Sequence, residues 1–282
     1  MALALPVADL LRFIGEDAPS GDRTSDALAP LGRCRAEIRA KAAGVVAGIE
    51  EASALFSHYG LLVTPDLRDG EACRPGSLLM TIEGEAAPIL LVERTALNIL
   101  SRMSGIATAT RAMVVAAAGI NPSLRIAATR KTCPGLRALD KKAVVLGGGE
   151  AHRATLSDMI LIKDNHLKLV PLEEAVRRAR GTAPAEQVEV EVTTPGEAVM
   201  AAKAGAGVIM FDNMDPAPIR EAVRRLKAEG LRGKVLLEAS GGIGPGNLAG
   251  YASLDIDRVS AGALTHSVRG LDMSLEIVDR LD

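Results

Sequence analysis

The chain has 282 residues, a net charge of -2, three cysteines, no tryptophan and only 2% aromatic side chains. That length allows one barrel-sized domain with a smaller partner. The balanced charge and the lack of stacking aromatics exclude the usual nucleic-acid binder.

From the amino terminus, Met1 to Ile14 carries Asp9 and Arg12 and has no basic leader, so it reads as a short amphipathic helix rather than a signal peptide. No apolar run approaches the roughly 20 residues that cross a bilayer, so no membrane partner is expected. Residues 35–42 and 78–83 alternate with period two, which predicts a small half-exposed sheet, and a helix is expected near Glu50 to Tyr59. From Ile89 to about Ala118 the spacing turns helical, with Gly105 as an expected break. Beyond Asn121-Pro122, six short apolar runs each end in a polar cluster, and a helix-like stretch follows nearly every one. They begin at Ile126, Met159, Val188, Val208, Val235 and Asp257. This pattern predicts a β/α barrel with its chemistry at the carboxyl ends of the strands. Leu271 to Leu281 has helical spacing and is expected to pack back on the first domain.

Cys34, Cys73 and Cys133 lie far apart and show no metal-ligand spacing, which suits a reducing cytoplasm. The densest chemistry lies between Thr129 and His166: Arg130, Lys131, Arg137, His152, Arg153 and Lys163 stand at expected strand ends or loop tips. An isolated cation is usually a solvated surface charge. Several at converging strand ends instead suit carboxylates and phosphates, because guanidinium forks bind planar anions bidentately. Ser240-Gly241-Gly242 and Gly262, after the last two strands, offer the close backbone approach that a phosphate needs.

The strings Glu93-Arg94-Thr95-Ala96-Leu97-Asn98, Thr129-Arg130-Lys131-Thr132, His152-Arg153, Lys163-Asp164-Asn165-His166, Phe211-Asp212-Asn213, Glu238-Ala239-Ser240-Gly241-Gly242 and Gly262-Ala263-Leu264-Thr265-His266 follow one another in order. Together they resemble the quinolinate phosphoribosyltransferase family over almost the whole chain. The resemblance implies an amino-terminal α/β sandwich domain over 1–118 with a carboxyl-terminal return at 268–282, and an incomplete β/α barrel over 119–267. It implies transfer of phosphoribosyl from phosphoribosyl pyrophosphate to quinolinate with decarboxylation, giving nicotinate mononucleotide, pyrophosphate and carbon dioxide in NAD synthesis. A homodimer is the smallest active unit it implies, with a hexamer as a larger assembly. Arg94, contributed across the subunit interface, would join Arg130, His152, Arg153 and Lys163 around quinolinate. Lys131, Lys163, Glu191, Asp212, Ser240, Gly241, Gly242, Gly262 and His266 would hold phosphoribosyl pyrophosphate, with Lys131, Glu191 and Asp212 catalytic. Mg2+ would ride mainly on the substrate, with help from Glu191 and Asp212 and no dedicated protein cage.

Glu191 has a plainer reading as an outward strand residue, since Glu189 shares its face. Two departures from the family pattern stand out: Cys133 after Arg-Lys-Thr, and Thr193-Thr194-Pro195 beyond Glu191. Competing functions are an aldolase-like barrel with Lys163 as a Schiff base, and a non-catalytic sensor of a phosphorylated ligand. The complete set of cations and the Glu191 and Asp212 pair argue against the sensor.

Overall fold

The computed structural model describes residues 5–281. The part of the amino-terminal helix expectation that falls on 1–4 lies outside the described residues, as does Asp282. The chain divides into two compact units, Met1–Arg111 with Pro134–Gly148 and Val268–Asp282, and Ala112–Cys133 with Gly149–Ser267.

The first unit opens with helices α1 (Val7–Asp17) and α2 (Arg23–Leu28), where Asp22 caps α2 by accepting from the amides of Thr24 and Ser25. Strands β1 (Arg33–Ala40), β3 (Leu62–Pro65), β5 (Leu78–Glu85) and β12 (Met273–Arg280) form one sheet in the order β12-β1-β5-β3, with antiparallel pairing throughout. The expected period of two holds in β1: Cys34, Ala36, Ile38 and Ala40 are buried, while Arg35 and Arg39 face outward and pair with Glu83 and Glu37. Helix α3 (Ile49–His58) buries Leu55 and Phe56, and the short strands β2 (Gly44–Val45) and β4 (Ala72–Cys73) make a two-stranded ribbon. Helix α5 (Arg137–Leu146) also belongs to this unit, and its Asp140 accepts both Nε and Nη2 of Arg102 at 2.8 Å.

Two local expectations fail here. Helix α4 (Ala86–Ala118) runs unbroken through Gly105. That glycine serves close approach instead, because a Cβ there would run into the carbonyl oxygen of Arg269. The segment read as helical over 271–281 is strand β12, which pairs antiparallel with β1 from Met273 opposite Ala40 to Arg280 opposite Cys34. An open edge of β1 supplies a ladder of hydrogen-bond partners, and this outweighs a weak apolar spacing.

In the second unit the six predicted strands are β6 (Arg125–Ala127), β7 (Ile160–Ile162), β8 (Val188–Val192), β9 (Val208–Asp212), β10 (Leu236–Ser240) and β11 (Arg258–Ser260). They pair in parallel in the order β6-β11-β10-β9-β8-β7. Among the described residues, the sheet gains beyond β6 only a parallel bridge from Ala127 to Glu150, so strand pairing does not close it into a full ring. The architecture is an incomplete β/α barrel.

Helices α6 (Asp164–Leu167), α7 (Leu172–Arg180), α8 (Pro195–Ala204), α9 (Pro216–Ala228), α10 (Leu248–Ala252) and α11 (Ala263–His266) separate or follow the strands. In α9, Ile219, Ala222, Val223 and Leu226 form the buried stripe of an amphipathic helix. The Thr193-Thr194-Pro195 departure has a local cause. Thr194 is the N-cap of α8, forms a capping box with Glu197 and precedes a proline at the first helical position. Among the described residues no helix is long and apolar enough to cross a membrane.

Candidate active site

In a parallel sheet, residues in register share a face, so the pairing identifies what points inward. Glu191, Met210, Glu238 and Arg258 lie in register across β8, β9, β10 and β11. One step further along, Asp212, Ser240 and Ser260 do the same. All five residues of β8 are buried, its valines included, so Glu189 and Glu191 both point into the barrel. The outward reading of Glu191 is therefore wrong.

A cavity of about 660 Å³ opens at the carboxyl ends of these strands, wholly within the second unit. Of the residues singled out in the sequence, Arg130, Lys131, His152, Arg153 and Lys163 line it together with Glu191, Asp212, Ser240, Gly241, Gly242, Gly262 and His266. Arg94 lies in the first unit on α4, with its side chain 63% exposed beside Glu93.

On the cationic side of the cavity, two guanidiniums face each other, with Glu189, Glu191 and Asp158 close enough to offset part of their repulsion. Burial and the like charge of Arg130 both lower the Arg153 guanidinium from its usual range. The Nε of Arg130 is buried without a hydrogen-bond partner. Buried donors of this kind are costly unless a ligand satisfies them. The loop beyond Arg153 is closed by Asp158, whose Oδ2 accepts from the amides of Ala154 at 2.7 Å and Thr155 at 3.0 Å. Lys163 is half exposed and forms a close ion pair with Glu191. That environment is the reverse of the desolvated amine a Schiff base requires, which removes support from the aldolase reading.

The opposite side is built from backbone. Gly241 has φ +96° and Gly242 φ +62°, and a Cβ on Gly241 would strike the side chain of Asn213, itself at φ +50°. Only glycine fits that turn without strain. A Cβ on Gly262 would come 3.1 Å from both Lys131 Cδ and His266 Cδ2, so these three residues are neighbours. Thr265 fixes Lys131 from behind by donating its hydroxyl to the Lys131 carbonyl at 2.8 Å. Cys133 is exposed and does not line the cavity.

Sequence reasoning missed a charged network under the cavity. Arg258 donates through Nη1 to Glu238 and through Nε to Glu150, each at 3.0 Å, and Arg125 donates to Glu150 at 2.6 Å. His152 Nε2 lies 3.4 Å from carboxylate oxygens of both Glu189 and Glu238. Burial pushes the Glu189 carboxyl up, and the neighbouring charge of Glu238 adds to this. Burial also works against a charged Glu238, but His152 and Arg258 hold it below the usual carboxylate range. The available signal was charged residues alternating with valine in a strand whose two faces are both covered.

Among the described residues Asp212 has no ion-pair partner, and it shares the cavity wall with Glu191, so the two offer the oxygen donors that a magnesium ion carried by a phosphate ligand prefers. His152, Glu189 and Glu238 also bring ligating atoms within 4.8 Å of one another.

Comparison with known proteins accords with this geometry. Family profiles described as quinolinate phosphoribosyl transferase, N-terminal and C-terminal domains, match residues 22–104 and 106–276. The chain is 45% identical over 273 residues to a probable carboxylating nicotinate-nucleotide pyrophosphorylase of Methanothermobacter thermautotrophicus, covering 95% of this chain and 98% of that protein. It is 38% identical to the human carboxylating nicotinate-nucleotide pyrophosphorylase, covering 98% and 94%. The crystal structure of nicotinate-nucleotide pyrophosphorylase from Ehrlichia chaffeensis superposes with a TM-score of 0.91 at 30% identity, covering 99% of this chain and all of that one. NadC from Streptococcus pyogenes superposes with a TM-score of 0.87 at 36% identity and 96% coverage of each chain.

Proposed function

The chain belongs to the quinolinate phosphoribosyltransferase family, and on that premise we propose that its cavity joins quinolinate to phosphoribosyl pyrophosphate with loss of carbon dioxide, forming nicotinate mononucleotide for NAD synthesis. The observation that carries this reading is the crowding of Arg130 and Arg153, with a buried Arg130 Nε left unpartnered, opposite glycine loops that suit a phosphate.

Quinolinate has carboxylates on adjacent ring carbons, and Arg130, Arg153 and Lys163 hold them, with His152 completing that side. Arg94 reaches the same substrate from a partner subunit in a homodimer, which can build further into a hexamer. Ser240, Gly241, Gly242, Gly262 and His266 take the 5'-phosphate, and Lys131 takes the pyrophosphate side. As pyrophosphate leaves the anomeric carbon, Glu191 and Asp212 stabilise the developing positive charge and hold the ribose hydroxyls. Lys163 leaves Glu191 as the substrate carboxylate replaces that partner. Mg2+, when bound with the substrate near Glu191 and Asp212, neutralises the pyrophosphate charge. Loss of carbon dioxide leaves its electron pair on the ring carbon as an ylide stabilised by the adjacent pyridinium charge, and a proton from water then completes the product, so positioning counts for more than a dedicated base. In this reading the second unit is the active-site domain, the first unit is the sandwich domain, and the enzyme works in the cytoplasm.

The test is a side-by-side assay with Mg2+ and phosphoribosyl pyrophosphate. Quinolinate should give nicotinate mononucleotide and carbon dioxide, while nicotinate, lacking one carboxylate, should react poorly. Equal turnover of the two acids, or of neither, would overturn the assignment.

A further inference from the structure

Asparagine at the start of a helix ordinarily turns its side-chain oxygen onto the first free amides of that helix. Asn247 stands at that position before α10 and makes no such bond. Its carboxamide reaches back to the loop after β10 instead. Oδ1 accepts from the Gly244 amide at 2.9 Å, and Nδ2 donates to the Gly242 carbonyl at 3.1 Å. An N–H on one side and a carbonyl on the other fix which end of the side-chain amide is which. Gly244 is also held through its carbonyl, which accepts from the backbone amides of Asn247 at 3.2 Å and Leu248 at 3.0 Å.

The turn held in this way has little packing to shape it. Gly242 has φ +62°, and a Cβ on it or on Gly244 would meet nothing within 4 Å. Between them Ile243 is 2% exposed and anchors the turn in the domain. Gly242, Ile243 and Gly244 line the cavity, whereas Asn247 does not. Among the described residues the amides of Gly242 and Ile243 donate to no backbone acceptor. The cavity wall therefore carries two N–H groups of the kind that cradle an anion, on a turn whose shape depends on hydrogen bonds from outside that wall.

We propose that Asn247 is a positioning residue for phosphoribosyl pyrophosphate: it clamps Gly242 to Gly244 and so holds the amides of Gly242 and Ile243 ready for the 5'-phosphate. Asn247 itself does not touch the substrate. The proposal rests on the reading above that this loop takes the phosphate.

Asn247→Ser separates this role from helix capping. Serine starts helices as well as asparagine does, but it is too short to bridge Gly242 and Gly244. Steady-state kinetics with both substrates varied should show the phosphoribosyl pyrophosphate KM raised about tenfold, the scale of one net hydrogen bond, with the quinolinate KM within about twofold of wild type. Melting curves should stay close to wild type, because the cap is kept. Asn247→Asp is the second variant, keeping the acceptor for Gly244 while setting a carboxylate oxygen against the Gly242 carbonyl. It should raise the same KM, and the ratio to wild type should persist in added salt, which screens a mere surface charge. Wild-type phosphoribosyl pyrophosphate KM values in both variants, an equal rise for both substrates, or an effect of Asn247→Asp alone that salt abolishes would each overturn the proposal. Gly241→Ala is the separate control. If it too leaves the phosphoribosyl pyrophosphate KM unchanged, the phosphate assignment itself fails and takes the proposal with it. If it raises that KM while the Asn247 variants do not, only the positioning role falls.

Discussion

At the scale of single residues, the proposed specificity of the cavity turns on Arg130 and Arg153. Two guanidiniums held side by side repel each other, so under the proposed function part of the affinity for a dicarboxylate would come from relieving that repulsion. Arg130→Ala should lower kcat/KM for quinolinate by about a hundredfold or more, the scale expected when one member of a buried charged contact is removed. Steady-state kinetics would show it, and an unchanged value would remove Arg130 from the site. Cys133→Ser, on an exposed residue outside the cavity, should leave the same constants within about twofold. Gly241→Ala tests the other end. The added methyl meets Asn213 at a positive φ, so calorimetry should find phosphoribosyl pyrophosphate binding weakened with quinolinate binding retained.

At the scale of elements, much of the architecture was legible because barrel strands are both short and apolar, and each of the six runs ends in the polar residues that the loops require. Helix α8 was predicted only as a helix-like stretch, yet its start is written in Thr194, Pro195 and Glu197. Thr194→Ala should lower stability by about 1 kcal/mol, read as a shift of the denaturant midpoint. Gly105 was misread, since a glycine within a helical pattern suggests a break and nothing local reveals that Arg269 packs on it. Gly105→Ala should improve helix propensity but destabilise the protein by about 1–3 kcal/mol through overpacking, and a rise in melting temperature would disprove the close contact. Strand β12 was misread for a related reason. Its spacing of apolar residues is weak, and its conformation comes from the edge of β1, more than 230 positions earlier in the chain.

Over the molecule as a whole, buried charges tie together segments that are remote in sequence. In the first unit Lys142 on α5 reaches Glu50 at 2.6 Å and Glu51 at 2.7 Å, both on α3, and Asp69 at 3.6 Å. Glu51 and Asp69 are nearly inaccessible, so Lys142→Met leaves carboxylates buried without a partner and should cost about 3 kcal/mol. Chemical denaturation would measure this, and a cost below about 1 kcal/mol would show the pair to be solvated.

The succession of strands along the chain, the cations at their ends and the glycine loops were determined by the sequence alone, because each depends on local pattern and on the chemistry of single side chains. Tertiary structure decided which way Glu189 and Glu238 face, that the His152 ring lies beside both, and that the last segment is extended. Those properties depend on partners supplied by distant parts of the chain: an imidazole finds its carboxylates, and an edge strand its ladder, only after the polypeptide has folded.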